Sequence, residues 1–310
     1  MKVLITCPPM LRQIEAFRPR FAAKGIEIHC PDVVQVLSEA ELITLVPQFD
    51  GWIIGDDPAT KAVFAAGKAG RLRAAVKWGV GVDNVDFSTA QALDIPVVNT
   101  PRMFGAEVAD MAMGYIIALA RHTFAIDRAV RSGDWIKPAG ISLAGKTVAL
   151  VGLGDIGRNT AKRLLAADMK VLAYDPGLPP ETLMSGVSLM PWPQQLETAD
   201  FIVLTCALTP DNYHLFNAET LNQVKSGVRL VNVARGPLID ETALVQGLAT
   251  GKVHSAALDV FEHEPLPMNS PLRQFEQCIW GTHNASNTLD AVQRASDQAI
   301  QALFDFLGVA

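Results

Sequence analysis

The run Val148-Ala149-Leu150-Val151-Gly152-Leu153-Gly154-Asp155-Ile156-Gly157 decides the fold. An apolar strand leads without interruption into G-x-G-x-x-G, and Ala161, Leu164 and Leu165 then follow at helical spacing. A strand that turns sharply into a helix needs each glycine for its own reason. Gly152 permits the turn, Gly154 admits a pyrophosphate close to the backbone, and Gly157 lets strand and helix pack tightly. The free N–H groups that open the helix, from Asp155 and Ile156 onward, face the phosphates along its dipole. The next strand, Lys170–Tyr174, ends at Asp175, with 17 residues between Gly157 and this acid. An acid there accepts hydrogen bonds from a ribose diol and repels a 2′-phosphate, so NAD is the expected cofactor rather than NADP.

Composition narrows what surrounds this cradle. The chain has 310 residues, enough for two domains of about 150 each. Hydrophobic residues make up 49% and charged residues 19%, which excludes a disordered chain. With 26 Lys+Arg against 32 Asp+Glu, the formal charge is −6, so no nucleic-acid partner working through phosphate neutralisation is expected. The longest apolar stretch, residues 111–120, is too short to span a bilayer, so no membrane partner is expected. Residues 3–7 meet Pro8-Pro9 at once and do not read as a signal peptide. The four cysteines, Cys7, Cys30, Cys206 and Cys278, form no C-x-x-C pair; neither a disulfide framework nor a metal site is expected, and the default location is the cytoplasm.

Short apolar runs alternate with longer helical patterns throughout, the signature of an α/β protein with parallel sheets. Strands are expected at 2–6, 25–29, 52–54, 74–78 and 96–99, with helices at 11–24, 38–45, 61–67 and 87–92. Ser38 and Glu41 have the spacing of a capping box. From 104 to 121, Val108, Met111, Ala112, Tyr115, Ile116, Leu119 and Ala120 mark a long bridging helix. Beyond it, strands are expected at 146–151, 170–174, 201–206, 229–234, 255–260 and 278–281, with a helix at 240–250 capped by Asp240 and ended by Gly251. A C-terminal helix carries Ala291, Ala295, Ala299, Leu303 and Phe306 on one face. If it packs on the first unit, the domains are 1–99 with 285–310, and 100–284.

In a doubly wound sheet, ligands sit beyond the carboxyl ends of the strands. Three such ends carry reactive side chains: Arg235 after 229–234, Glu264 after 255–260, and His283 after 278–281. An arginine can clamp a carboxylate with paired hydrogen bonds. A histidine moves protons near neutral pH, and a carboxylate behind it fixes its tautomer and favours its charged form. Arg235 also fits a surface ion pair, and Glu264 a solvated loop carboxylate. His283 is preferred to His263 because it directly follows a strand, whereas His263 lies in a charged loop.

The ordered motifs resemble the D-isomer-specific 2-hydroxyacid dehydrogenases, in the branch of D-3-phosphoglycerate dehydrogenase. They are Trp78-Gly79-Val80-Gly81-Val82-Asp83-Asn84-Val85-Asp86, Asn99-Thr100-Pro101 with Glu107-Val108-Ala109, and the glycine loop. Next come Leu208-Thr209-Pro210, Val231-Asn232-Val233-Ala234-Arg235-Gly236, Ala257-Leu258-Asp259-Val260-Phe261-Glu262-His263-Glu264-Pro265, and His283. The resemblance spans essentially the whole chain. It implies two doubly wound α/β domains, a Rossmann NAD-binding domain and a flavodoxin-like substrate domain built from both chain ends. It implies Arg235, Glu264 and His283 as the catalytic set, and Asp259 beside the nicotinamide carboxamide. Cys206, Thr209 and Ala234 would join the cofactor site. Gly79, Val80 and Gly81 would meet the substrate carboxylate. A homodimer is implied as well, with the helix near 108–121 forming much of its interface; ordinary core packing is the other reading of that helix. Two departures stand out: Gly281-Thr282-His283-Asn284 replaces the usual Thr-Pro-His, and no Gly-Gly follows. From the short tail after His283, no appended regulatory domain is expected.

The expected reaction is hydride transfer between NAD and C2 of a D-2-hydroxy acid or its 2-oxo form. Lys77, beside the 79–81 loop, is the candidate cation for a phosphorylated substrate such as 3-phosphoglycerate, with Arg102 and Arg12 weaker ones. Asp56-Asp57 would oppose phosphate, which favours unphosphorylated acids such as hydroxypyruvate or glyoxylate. Formate and phosphite dehydrogenases share the resemblance, but Glu264 argues against a formate enzyme. The rival from another class is an NADH-sensing corepressor-like protein in which turnover is incidental.

Overall fold

The computed structural model describes residues 1–309, Pro180 by its backbone alone. The chain divides into two compact units, Met1–Met103 with Asn287–Ala310, and Phe104–Ser286.

In the first unit the strands are β1 (Lys2–Ile5), β2 (Glu27–His29), β3 (Gly51–Ile54), β4 (Ala74–Lys77) and β5 (Val97–Asn99). They form one parallel sheet ordered β2-β1-β3-β4-β5, the flavodoxin-like doubly wound order. β3 and β4 are buried along their whole length, because helices cover both faces. The helices are α1 (Pro8–Leu11), α2 (Ile14–Ala23), α3 (Glu39–Leu45), α4 (Lys61–Ala69) and α5 (Phe87–Ala92). Ser38 and Glu41 form the expected capping box at the start of α3. The single helix expected at 11–24 is interrupted. Pro8 and Pro9 seed α1, the N–H of Gln13 turns back to the Met10 carbonyl, and Gln13 leaves the helical region before α2 begins.

One face of this sheet packs Leu4, Trp52 and Ile54 against Leu42, Val63 and Phe64. On the other lies the C-terminal helix Leu289–Leu307, so close that a Cβ on Gly51 would stand 3.2 Å from Leu303 and Leu307. Thr288 caps its start, and Gly308, at φ +69°, ends it. Its buried face runs through Ala291, Ala295, Ala299 and Leu303 to Leu307. Phe306 is only half-buried, because the four-residue step from Leu303 arrives at Leu307. Ser296, polar but fully buried, accepts the indole N–H of Trp78 at 3.0 Å.

The second unit holds β6 (Thr147–Val151), β7 (Lys170–Tyr174), β8 (Val187–Leu189), β9 (Phe201–Leu204), β10 (Val228–Asn232), β11 (Val253–Leu258) and β12 (Ile279–Trp280). These too are parallel, ordered β12-β11-β10-β9-β6-β7-β8, with the strand order reversing between β6 and β9. That reversal creates the crevice at which doubly wound sheets bind their ligands. The edge strand β8 carries too short an apolar run to stand out in the sequence. The helices are α6 (Gly105–Arg121), α7 (Thr123–Arg131), α8 (Asp155–Ala166), α9 (Ala218–Gln223) and α10 (Glu241–Thr250). Asp240 and Gly251 bound α10 as expected.

Helix α6 buries Val108, Ala109, Ala112, Tyr115, Ile116, Leu119 and Ala120. His122, at φ +57°, bends the chain into α7, which buries none of its residues. Among the described residues, no helix is long and apolar enough to cross a membrane.

Candidate active site

The glycine loop sits at the strand-order reversal. Gly152 follows β6 at φ +91°, and a Cβ there would meet the Cys206 backbone at 2.7 Å. A Cβ on Gly157 would fall 2.1 Å from the Gly152 carbonyl oxygen, so the start of α8 can lie against the turn only without a side chain. At Gly154 a Cβ would meet nothing within 4 Å, which leaves open space over the first N–H groups of α8. Asp155 is exposed and Ile156 half-buried. Thr205 ties the turn from the other side, its hydroxyl donating to the carbonyls of Val151 and Gly152 at 3.0 and 2.9 Å. Asp175 stands at the end of β7, accepting from the N–H of Leu153 at 2.7 Å and that of Gly177 at 3.1 Å. The acid that would meet a ribose is thus fixed to the loop that would meet the phosphates. This cradle fits a dinucleotide. Cys206 and Thr209 follow β9; burial pushes the Cys206 thiol up to about 11, so no thiolate charge opposes phosphate at neutral pH.

The second cluster lies beyond β10, β11 and β12. Asn232, fully buried, braces the loop that carries Arg235: its amide donates to the Arg235 carbonyl at 2.8 Å and its oxygen accepts from the Ala234 N–H at 3.0 Å. The Arg235 guanidinium donates to the Ala234 carbonyl at 2.9 Å. His283 Nδ1 and Glu264 Oε2 are 2.8 Å apart, with 22% and 19% of their side chains exposed. A carboxylate only accepts, so Nδ1 carries the proton and Nε2 is left for chemistry. The other oxygen of Glu264 accepts from the Phe261 N–H at 2.9 Å. His263 is exposed.

Asp259 is the floor of this cluster. It is 1% exposed, and its carboxylate accepts from the Tyr115 hydroxyl at 3.2 Å and from the Ala285 N–H at 2.8 Å. Its backbone carbonyl accepts the N–H of His283 at 2.6 Å, and His283 itself stands at φ +54°.

In the first unit, Lys77 closes β4 and is 2% exposed. Its ammonium donates to an Asp56 carboxylate oxygen and to the Trp78 carbonyl, both at 3.0 Å. Gly79 follows at φ +127°, where L side chains are strained, and donates its N–H to the Thr100 hydroxyl at 2.8 Å. Among the described residues no protein acceptor takes the N–H of Val80 or Gly81, and the Val80 side chain is exposed. Asp57 is fully buried, accepting from Thr6, the Leu37 N–H and the Gly55 N–H; burial pushes its carboxyl up.

Several supporting residues escape sequence reasoning. A Cβ on Gly236 would lie 1.9 Å from the Phe261 carbonyl, so the Arg235 and Glu264 loops press together through this glycine. Glu241 and Glu262 lock the same loops reciprocally, each carboxylate accepting the other's backbone N–H at 2.8 and 2.9 Å. Tyr115 read as one more apolar position of α6. Its hydroxyl was the signal, because a buried phenol needs a polar partner.

Comparison with known proteins accounts for this arrangement. Residues 113–285 match the NAD binding domain of the D-isomer specific 2-hydroxyacid dehydrogenases, and the chain belongs to that family. It is therefore an NAD-dependent oxidoreductase acting on small 2-hydroxy or 2-oxo acids. It is 36% identical to the hydroxypyruvate reductase of Thermotoga maritima, over 88% of this chain and 90% of that one. To the chloroplastic D-3-phosphoglycerate dehydrogenase 2 of Arabidopsis thaliana it is 37% identical, over 86% of this chain but 43% of the relative. The TT0316 protein of Thermus thermophilus has a similar solved structure, with a TM-score of 0.87, 30% identity, and coverage of 99% of this chain and 97% of that one.

Proposed function

We propose that this chain reduces an unphosphorylated 2-oxo acid of the hydroxypyruvate or glyoxylate type with NADH. The observation that carries the choice of substrate is Lys77. Its ammonium is enclosed by Asp56 and the Trp78 carbonyl, so this cation beside the 79–81 loop is already neutralised and shielded. A phosphate would gain little from it. End-to-end likeness to a hydroxypyruvate reductase supports the same reading.

Bound NADH supplies the hydride to C2. The substrate domain is the unit of residues 1–103 and 287–310, whose loop N–H groups at Val80 and Gly81 take the carboxylate; Gly79 shapes the loop, its own N–H being engaged by Thr100. Arg235 holds the carboxylate and polarises the ketone. His283 delivers the proton from Nε2 to the C2 oxygen, while Glu264 holds Nδ1–H and stabilises the imidazolium. Reduction needs the protonated imidazole, so its rate falls as pH rises past the histidine's titration, and oxidation gains over the same range. A steady-state panel of hydroxypyruvate, glyoxylate, pyruvate and 2-oxoglutarate with NADH tests the reading, run against 3-phosphoglycerate with NAD. The highest kcat/KM is expected for hydroxypyruvate or glyoxylate; efficient turnover of 3-phosphoglycerate would refute it.

The chain also presents a surface suited to a second copy of itself. Phe124, Val130, Trp135 and Ile136 are 48%, 48%, 79% and 43% exposed, beside a groove of about 840 Å³ lined by Phe124, Arg128, Ile136, Phe275 and Trp280. Large exposed apolar patches mark interaction sites. Beside the contribution expected of α6, α7 and the following segment would offer further surface to a dimer. Light scattering should give a dimer that Trp135→Asp converts towards monomer. Four free cysteines suit a reducing cytoplasm.

A further inference from the structure

We infer that Tyr115 is a positioning residue of the reaction, acting through Asp259 on the turn that holds His283. The inference rests on His283 being the acid of the proposed reaction.

His283 lies in the left-handed region, at φ +54°, a conformation that a bulky residue adopts only when its surroundings hold it there. Asp259 holds the turn at two points. The Asp259 carbonyl takes the His283 N–H at 2.6 Å, and its carboxylate takes the Ala285 N–H at 2.8 Å, so a single buried aspartate grips the turn on both sides of residue 284. The grip depends on how that carboxylate is oriented. Oδ2 faces Ala285, and Oδ1 is fixed by the Tyr115 hydroxyl at 3.2 Å. Both side chains are nearly inaccessible, Asp259 at 1% and Tyr115 at 5% exposure, so water cannot readily replace the phenol.

A second observation points the same way. A Cβ on Gly281 would lie 2.3 Å from Asp259 Oδ1 and 2.6 Å from the Tyr115 oxygen. Thus the strand end leading to His283 leaves room for this hydroxyl–carboxylate pair by carrying no side chain. The departure of this chain at Gly281 and the presence of Tyr115 on α6 become one feature, a brace beneath the histidine.

Tyr115→Phe removes one oxygen and leaves the ring in place. The variant should lower kcat for 2-oxo acid reduction about tenfold, since a hydrogen bond to a buried charge is lost. The alkaline limb of reduction should move to lower pH, while the NADH Kd by fluorescence titration and the KM for the oxo acid stay within about twofold. In the protein without cofactor, amide exchange across 283–285 should become faster. Asp259→Asn and the double variant complete a cycle. Because Tyr115 acts through Asp259, the double variant should lose no more rate than Asp259→Asn alone. Wild-type kcat with an unmoved limb in Tyr115→Phe overturns the inference and leaves His283 as the acid. Losses that multiply in the double variant overturn it as well. Full turnover in His283→Ala overturns the acid–base reading, and with it the inference, whatever Tyr115→Phe does.

Discussion

The two units share a plan and differ at the carboxyl ends of their strands. In Phe104–Ser286 those ends present Asp175, Arg235, Glu264 and His283, each tethered by hydrogen bonds but partly accessible. In the other unit the corresponding polar groups are closed on one another: Lys77 with Asp56, Asp57 with Thr6, and Gly79 with Thr100. What is left open there is backbone at Val80 and Gly81. In the proposed function one sheet holds the groups that would change protonation or contact the cofactor, and the other would offer fixed N–H donors. Proton transfer needs titratable side chains, whereas recognition of a carboxylate needs only correctly aimed dipoles.

The sharpest way to break this contrast is His283→Ala. Turnover should fall about 10²–10⁴-fold, the contribution of a positioned acid–base, while NADH binding by fluorescence stays near wild type. Gly79→Ala tests the other side. At φ +127° an alanine costs about 1–3 kcal/mol of backbone strain, read as a roughly tenfold rise in KM for the oxo acid with NADH affinity unchanged. A normal KM would mean the loop does not bind the carboxylate.

Lys77→Met should act on stability rather than on recognition. Breaking an ion pair whose lysine is 2% exposed costs several kcal/mol in full burial, but Asp56 is 36% exposed and water repays part of it. A Tm lower by about 3–8 °C is expected, with KM within twofold; a large rise in KM would return Lys77 to the substrate.

The smallest effect concerns Asp57. Burial raises its carboxyl above the ordinary 3.8, so the folded chain takes up a proton before the unfolded chain does. The burden of its charge is full above that raised value and shrinks as pH falls towards 3.8. Asp57→Asn should remove this term, so that the urea midpoint changes differently with pH from wild type across the acid range where the raised carboxyl titrates and in parallel with it above that range.

The sequence makes some of this legible for identifiable reasons. G-x-G-x-x-G, Asp175 and the three strand ends are local: a run of a few residues specifies both conformation and chemistry. Helix 104–121 was legible from its period, but not the bend at His122, whose positive φ no apolar pattern encodes. The edge strand Val187–Leu189 was too short to show. Lys77 was visible as a cation beside a loop, yet its partner Asp56 is 21 residues away and comes near only because β3 pairs with β4. Tyr115 and Asp259 are separated by 144 positions, and nothing in either neighbourhood announces the other.

Helix α6 has a consequence of a mechanical kind. A Cβ on Gly105, at its first turn, would lie 2.4 Å from the Asp155 carboxylate beside the glycine loop, and ten residues later Tyr115 bears on Asp259. At 1.5 Å per residue those two points are about 15 Å apart along one rod. The helix therefore works as a gauge block. The interval between the end that would receive phosphates and the end that would receive the reacting ring is set by covalent repeat rather than by adjustable loops, and warming that loosens the loops would leave that interval nearly unchanged.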